Sequence, residues 1–267
     1  IKIRKTMATI LDKIIANKRI EVEKQKKECS IATLVQRIES NPASVKSFKD
    51  ALVHSSTGII AEFKRRSPSR DWIFKDARIE DVIPFYSLKG ASAISILTDM
   101  DFFGGNLLDL QKARELTDTP LLRKEFVIDE YQIYQAAYYQ ASAVLLIASA
   151  LSVQETKTLA KLAKSLKLDV LLEIHDEGEL NHINEFVDVV GVNNRNLKTF
   201  VTDINTSFSL GEKIPSEFVK ISESGISEPQ TVIELKQAGF KGFLMGENFM
   251  KTNDPGKALG DFIRQLS

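Results

Sequence analysis

Apolar runs of strand length alternate along the chain with segments of helical period. The strand-like runs cover residues 58–64, 92–98, 120–126, 142–148, 169–175, 187–193, 218–223 and 242–246. The amphipathic segments cover residues 76–88, 107–116, 130–139, 153–165, 177–186, 203–210, 229–238 and 255–266. Near-continuous apolar strands joined by helical crossovers are typical of a parallel sheet that is covered on both faces. Eight such units in a chain of this length predict an α/β fold, the (β/α)8 TIM barrel.

The same pattern sets the domain limits. A doubly wound open sheet is the alternative architecture, but no Gly-x-Gly-x-x-Gly string follows the first strand. We expect residues 7–267 to form a single barrel domain that includes an N-terminal helical extension, residues 7–55. Residues 1–6 precede Met7, the more natural start, and we interpret them as upstream residues or an expression remnant.

The extension has two parts with different patterns. Ile10, Leu11, Ile14 and Ile15 form an apolar stripe at helical spacing, whereas the run 18–28 is rich in charge. We interpret the charged run as a solvated helix face. The apolar stripe indicates a helix that could lie across one end of the barrel as a lid.

Composition narrows the class of partner and the compartment. Lys and Arg number 36, as do Asp and Glu, and a formal charge of zero argues against a broad nucleic-acid or membrane-surface footprint. The single cysteine, Cys29, excludes an internal disulfide framework and predicts a reducing, cytoplasmic setting. The densest apolar run, 143–151, is too short to span a bilayer. His54, His175 and His182 lack the spacing of metal ligands, so we expect no metal site.

Charged residues stand at the carboxyl ends of several strands, where barrel chemistry is found. The first strand ends at Glu62, Lys64 and Ser67, and alternation places Glu62 and Lys64 on one face. Lys124 and Glu173 end the third and fifth strands among apolar residues of the same face. We expect desolvation to lower the pKa of Lys124 and to raise the pKa of Glu173, as acid–base catalysis requires. Alternatives stay open for each strand end: a surface salt bridge for Glu62 and Lys64, a rim lysine for Lys124 and a structural ion pair for Glu173.

The last three strands end in polar or glycine-bearing sequences. Asn193 and Arg195 share a face after the sixth strand, although the four polar residues there could form a turn and nothing more. Gly225 and Gly246, after the seventh and eighth strands, allow the backbone to approach an anion closely. Phosphate sites in these barrels form from the same two loops. The sequence therefore predicts a phosphate site here, to which Lys64 or Arg195 would add charge.

These strand ends resemble one known family. Successive segments are similar, in order, to the motifs of indole-3-glycerol-phosphate synthases: IIAEFKRRSPS, ISILTDMDFFGG, LLRKEFVIDEYQI, LLEIHDEGEL, GVNNRNLKTF, SESGI and FLMGENFM. The opening MATILDKIIANKRIEVEK is similar to the family's N-terminal extension. The resemblance implies a lyase of tryptophan biosynthesis that converts 1-(2-carboxyphenylamino)-1-deoxyribulose 5-phosphate into indole-3-glycerol phosphate, carbon dioxide and water. It implies no cofactor and a small sugar phosphate as the partner, and we expect a monomer or a homodimer.

The resemblance also implies catalytic roles. Lys124 would be the general acid for ring closure, and Glu173 a second acid or base that assists dehydration. Lys64 would balance the negative charge of the substrate, and Glu62 beside Lys64 would hold the charge network. Asn193 would orient a hydroxyl group or the nearby carboxyl.

Substrate binding is implied at two ends of the site. The phosphate would be held by the catalytic-site residue Ser224, by Gly225, Gly246 and the backbone of Glu247, and by Arg195. The apolar slot for the anthranilate ring would consist of Phe103, Phe126 and Leu197, with Ser67 completing the substrate contacts.

Two other interpretations of the same residues stay open. A class I aldolase would use Lys124 as a Schiff-base lysine, since a lysine on a middle strand of a barrel suits that chemistry. A non-enzymatic phosphate-binding scaffold would need only the phosphate loops. It would leave five polar residues unexplained: Glu62, Lys64, Lys124, Glu173 and Asn193.

Overall fold

Eight parallel strands close into a barrel in the computed structural model, which describes residues 9–42, 44–197 and 199–266. The barrel strands are Ile59–Phe63, Ala93–Leu97, Leu121–Lys124, Ala143–Ile147, Asp169–Ile174, Val189–Asn193, Val219–Glu223 and Gly242–Met245. Each pairs with the next along the chain, and the eighth closes the barrel on the first through Ile59 opposite Phe243. The predicted (β/α)8 barrel is confirmed, while the interpretation of residues 1–6 lies outside the described residues.

Helices cover the outside of the barrel and its carboxyl end. The extension contains Ile10–Glu28, Ile31–Ser40 and Phe48–Val53, and the α-helices that follow are Ile79–Leu88, Leu107–Leu116, Glu130–Tyr138, Val153–Ser165, Asn205–Gly211, Pro229–Gln237, Glu247–Met250 and Pro255–Arg264. The α-helix expected at 177–186 is wrong, because Glu177–His182 forms a 3-10 helix instead. Gly178 occupies its first turn, where glycine disfavours the α-helix. Within the described part of the chain, no helix is both long and apolar enough to cross a membrane.

Strand alternation divides the apolar residues between the barrel interior and the surrounding helices. Ile60, Leu122, Leu171 and Ile221 fill the interior, whereas outward residues such as Phe63 pack against the helices. Full burial of one such side chain contributes roughly 1.5–3 kcal/mol. These four interior residues form an apolar floor, and each lies two positions before an inward-facing residue nearer the carboxyl end.

The first helix, Ile10–Glu28, lies against the carboxyl end of the barrel. Ile14, Lys18 and Val22 are spaced by four residues, lie on one face of this helix and are all buried. The expectation that the charged run 18–28 forms a solvated face is therefore wrong at Lys18, whose side chain is only 1% exposed. The helix packs its charged and apolar residues together because the barrel end beneath it is itself charged.

Asn194 joins the ends of the sixth and seventh strands to the helix that follows. Its Nδ2 donates to Ser222 Oγ and to the carbonyls of Glu223 and Ser224, each at 3.0 Å. Its Oδ1 accepts from the Ser207 amide at 3.0 Å and from the Ser207 hydroxyl at 2.8 Å. Within the polar run at this strand end, Asn194 is thus a buried hydrogen-bond junction that fixes two loops.

We predict that Asn194→Ala lowers the free energy of unfolding by about 2–4 kcal/mol, because several buried polar groups lose their partners at once. Urea unfolding followed by circular dichroism measures this change. Asn205→Ala, at an exposed position, serves as the control and should stay within about 0.5 kcal/mol of wild type. Equal stability of the Asn194→Ala and Asn205→Ala variants would contradict the junction.

Candidate active site

A cavity of about 380 Å³ opens at the carboxyl ends of the barrel strands. Every residue that the sequence analysis assigned to the site lines it: Glu62, Lys64, Ser67, Phe103, Lys124, Phe126, Glu173, Asn193, Arg195, Leu197, Ser224, Gly225, Gly246 and Glu247. Ile10, Leu11 and Ile14 of the first helix line its upper side. The apolar stripe of the extension therefore contributes directly to the cavity wall.

The innermost polar layer comes from alternate strands. Glu62, Lys124, Glu173 and Glu223 end the first, third, fifth and seventh strands and point into the barrel. Layers built from alternate strands are the usual way in which such a barrel fills its interior. One cation and three carboxyl groups thus meet at the top of the apolar floor.

The first strand brings a second cation to this layer. Lys64 Nζ lies 2.8 Å from Glu62 Oε1, so the pair shares a face as the alternation predicted. Ser95 Oγ donates to Glu62 Oε2 at 3.4 Å. A Cβ at Gly246 would lie 2.7 Å from Glu62 Oε1, so the absence of a side chain there leaves room for the carboxylate.

Lys124 is surrounded by carboxyl groups. Its Nζ lies 3.0 Å from Glu173 Oε2 and makes a short contact with Glu223 Oε2. Burial alone would lower the pKa of Lys124, but the charges of Glu173, Glu223 and Glu62 outweigh it and raise the pKa above its ordinary value. The expectation of a lowered pKa is wrong, because the apolar neighbours along the strand matter less than the carboxylates on the facing strands.

Glu173 shows the opposite departure from expectation. Burial alone would raise its pKa, but Lys124, His175 and Asn193 together hold the pKa well below its ordinary value. Asn193 Nδ2 donates to Glu173 Oε1 at 3.1 Å, and His175 Nε2 makes a charge contact with the same oxygen at 3.2 Å. The expectation of a raised pKa is therefore wrong, and Glu173 stays ionised.

Glu223 is an ionisable cavity residue that was not predicted from the sequence. Burial, together with the charge of Glu173, raises its pKa to about 7 despite the opposing charge of Lys124. Its Oε1 has no hydrogen-bond partner, and a Cβ at Gly191 would lie 2.4 Å from that oxygen. Alternation along the seventh strand, with Val219 and Ile221 facing inward, was the signal that could have identified it.

Backbone geometry and cations meet on the side of the last strands. Ser224 and Gly225 take consecutive left-handed conformations with φ of 67° and 76°. A non-glycine residue held in this region is a form of strain that clusters at functional sites. Arg195 Nη1 donates to Ser69 Oγ at 2.9 Å, and Arg70 Nε lies 3.2 Å from Glu247 Oε1. The first loop of the barrel is thereby held over the loops that follow the sixth and eighth strands.

The opposite side of the cavity is apolar. The rings of Phe103 and Phe126 lie 5.8 Å apart with an interplanar angle of 39°. Leu145 and Ile147 line the cavity beside them. The cavity thus has a side with glycines and cations, an apolar aromatic side and a central group of ionisable side chains. Among the described residues, no cluster of three His, Cys, Asp or Glu side chains has metal-binding geometry.

Comparison with known proteins points to one family. Residues 11–262 match the family model described as indole-3-glycerol phosphate synthase. The indole-3-glycerol phosphate synthase of Bacteroides thetaiotaomicron is 54% identical over 260 residues, covering 97% of this chain and 100% of that protein. The enzyme of the same name from Prochlorococcus marinus is 42% identical over 253 residues, covering 92% of this chain and 86% of that protein.

Solved structures agree at the level of the fold. The tryptophan synthase α-subunit of Pyrococcus furiosus superposes with a TM-score of 0.58 at 13% identity, covering 79% of this chain and 97% of that chain. At this identity the likeness supports the barrel architecture alone.

The His175 contact generates a pH prediction. Although burial opposes it, Glu173 and Glu179 raise the pKa of His175 to about 10. A raised folded-state pKa contributes stability that is fully present below the unfolded value of about 6.5 and is lost as the pH rises through about 10. We therefore expect His175→Gln to be most destabilising near pH 6, with the difference from wild type shrinking toward pH 10. Urea unfolding across this range measures the difference.

The control for this prediction is His54→Gln at an exposed position. Its difference from wild type should be small at every pH tested. A His175→Gln effect that is the same at pH 6 and pH 10 would show that the imidazole gains nothing from its carboxylate partners.

Proposed function

The chain belongs to the indole-3-glycerol phosphate synthase family, and we propose that the charged groups inside its barrel divide the proton transfers of that reaction among them. The reaction is that of a carboxy-lyase of tryptophan biosynthesis. It converts 1-(2-carboxyphenylamino)-1-deoxyribulose 5-phosphate into indole-3-glycerol phosphate, carbon dioxide and water. The observation that carries the proposal is the position of Lys124 Nζ between Glu173 and Glu223.

Lys124 is the proton donor for ring closure. Its raised pKa keeps the ammonium charged at neutral pH. Ring closure joins an aromatic carbon to the ketone carbon and places negative charge on the ketone oxygen, which a positioned acid neutralises. The ammonium can give up its proton because the developing alkoxide is more basic than an amine. Loss of carbon dioxide then returns the electron pair of the breaking bond to the ring.

Glu223 and Glu173 serve opposite halves of the dehydration. The hydroxyl formed by ring closure leaves as water only after it gains a proton, and the ring system loses a proton as the new double bond forms. Glu223, with its pKa raised to about 7, exchanges a proton near neutral pH and suits the donor role. Glu173 is held ionised by its neighbours and suits the acceptor role. Asn193 fixes the orientation of the Glu173 carboxylate.

The two ends of the cavity hold the two ends of the substrate. The loops after the seventh and eighth strands, with the short helix Glu247–Met250 beginning at Gly246, suit a phosphate group. Arg195 adds positive charge at the phosphate end, and Lys64 adds positive charge beside the substrate carboxylate. Phe103 and Phe126 suit the anthranilate ring. Binding energy from the phosphate then orients the reacting end.

The charge state of Lys124 argues against the aldolase alternative. A Schiff-base lysine must present a neutral amine, which requires a lowered pKa. In this site the surrounding carboxylates raise the pKa of Lys124. The scaffold alternative is disfavoured by the layer of ionisable groups, which costs stability and which phosphate binding alone does not need.

We also propose that one chain suffices for the reaction and that it works in the cytoplasm. A single chain supplies every residue that lines the cavity described above. The free thiol of Cys29 is consistent with a reducing compartment. The zero formal charge gives no support to a nucleic-acid partner.

We predict that Lys124→Met lowers turnover by about 10²–10⁴-fold, the range in which a general acid contributes. Indole fluorescence, followed after mixing the purified protein with substrate in buffer containing a chelator, measures turnover. Binding of inorganic phosphate, measured by calorimetry, should change little because the Lys124 ammonium is paired with the carboxyl groups of Glu173 and Glu223.

Lys157→Met is the matched control, since Lys157 is half exposed and pairs with Glu185 on the outside of the barrel. It should retain full turnover. Wild-type turnover in Lys124→Met would contradict the proposed mechanism. A borohydride-trapped substrate adduct on Lys124 of the wild type would favour the aldolase instead.

A further inference from the structure

Lys18 brings a buried ammonium from the first helix, Ile10–Glu28, to the rim of the barrel. Its Nζ lies 2.9 Å from Asp99 Oδ2 and 3.0 Å from Glu125 Oε1, and it donates to Glu21 Oε2 at 2.7 Å. The side chains of Lys18 and Asp99 are each 1% exposed. Burying such charges is costly without well-placed partners, so the geometry of this cluster is tightly constrained.

Each barrel carboxylate in this cluster also fixes the backbone beside an aromatic residue. Asp99 Oδ1 accepts from the amide of Phe102, which precedes Phe103, at 2.8 Å. Glu125 Oε1 accepts from the amide of Phe126 at 2.9 Å. One ammonium therefore connects the loop after the second strand to the loop after the third.

Phe103 and Phe126 form the tilted ring pair of the cavity, with ring centroids 5.8 Å apart. Ile14, one helical turn before Lys18, lines the same cavity from above. The first helix, the two loops and the two rings consequently meet around one buried charge cluster.

We propose that Lys18 is a positioning residue for the aromatic slot: through Asp99 and Glu125 it holds Phe103 and Phe126 as the apolar wall against which the anthranilate ring packs. The inference rests on the proposed function, which assigns that ring to these two residues. Lys18 acts through its carboxylate partners and takes no part in proton transfer.

Removing the ammonium should affect the two ends of the cavity differently. Without it, Asp99 loses its ion pair and Glu125 keeps only Arg123, whose Nη2 lies 3.6 Å from Glu125 Oε2. The two buried carboxylates then repel, and either their loops separate or one carboxylate takes up a proton. The phosphate loops follow the seventh and eighth strands and make no contact with the cluster among the interactions described above. The ring-binding end should therefore lose affinity while the phosphate end keeps it.

The test compares two inhibitors of indole formation, anthranilate and inorganic phosphate, on the full-length wild type and on Lys18→Met. We expect the inhibition constant of anthranilate to rise at least about tenfold, equivalent to roughly 1.4 kcal/mol, and that of phosphate to change less than about twofold. The KM of the substrate should rise by a larger factor than kcat falls.

Lys26→Met is the matched control. Lys26 lies on the same helix and pairs with Asp129 at 2.8 Å, but its side chain is 30% exposed and belongs to a different ion pair. It should leave both inhibition constants unchanged. Equal effects of Lys26→Met and Lys18→Met would show that any loosening of the helix suffices, and that result would overturn the proposal.

A second variant keeps the test decisive if Lys18→Met folds poorly. Asp99→Asn removes one countercharge but keeps an oxygen that can accept from Phe102. Asp99→Asn should weaken the binding of anthranilate but not that of phosphate. The double variant Lys18→Met/Asp99→Asn should lose less binding free energy for anthranilate than the sum of the two single losses, because both substitutions break the same contact.

Three results would contradict the positioning role. Weakening of both inhibitors to the same extent would indicate general structural damage, and an unchanged anthranilate constant would show that the slot does not depend on Lys18. If the wild type forms product but is not inhibited by anthranilate, Phe103 and Phe126 do not form a binding slot for that ring. A wild type that forms no product at all would instead refute the proposed function, so the two failures can be told apart.

Discussion

Lys124, Glu173 and Glu223 share one buried space, and their charge balance determines what the site can do. One ammonium neutralises one carboxylate, and a second ionised carboxylate in the same surroundings is costly. Glu173 has His175 and Asn193 as further partners, so it is the carboxyl that stays ionised. Glu223 has an unpartnered oxygen and exchanges its proton near neutral pH. The charged ammonium of Lys124 therefore contacts both a titrating carboxyl and an ionised carboxylate.

The barrel provides this arrangement through its register. The three residues end alternate strands, so their side chains enter one layer without any irregular backbone. The apolar residues two positions earlier close the barrel beneath them and exclude water from below. Gly191 and Gly246 leave the space that the Glu223 and Glu62 side chains occupy. The first helix covers the opening with Ile10, Leu11 and Ile14, and this cover strengthens every charge interaction inside.

The hydrophobic period and the order of the strands could be predicted from the sequence, because both depend on residues and elements that are adjacent along the chain. The alternation of apolar runs and helical segments located all the barrel strands, and the strand ends located the polar cavity residues. Phe103, Leu197 and Glu247 were identified only through the resemblance to a known family. The pKa directions of Lys124 and Glu173 were predicted with the wrong sign, because each depends on side chains from facing strands. Lys18 was misjudged for the same reason, since a charged run shows neither the burial nor the acidic partners that the fold supplies.

The most direct test of this charge balance is a carbon-13 NMR titration of the glutamate side-chain carboxyls, with signals assigned through Glu173→Gln and Glu223→Gln. We predict that the Glu223 carboxyl titrates with a midpoint near 7. We expect Glu173 to remain ionised throughout the range in which ordinary glutamates, with a pKa of about 4.3, take up their protons. Midpoints near 4.3 for both residues, or a midpoint near 7 for Glu173 in place of Glu223, would contradict this charge balance.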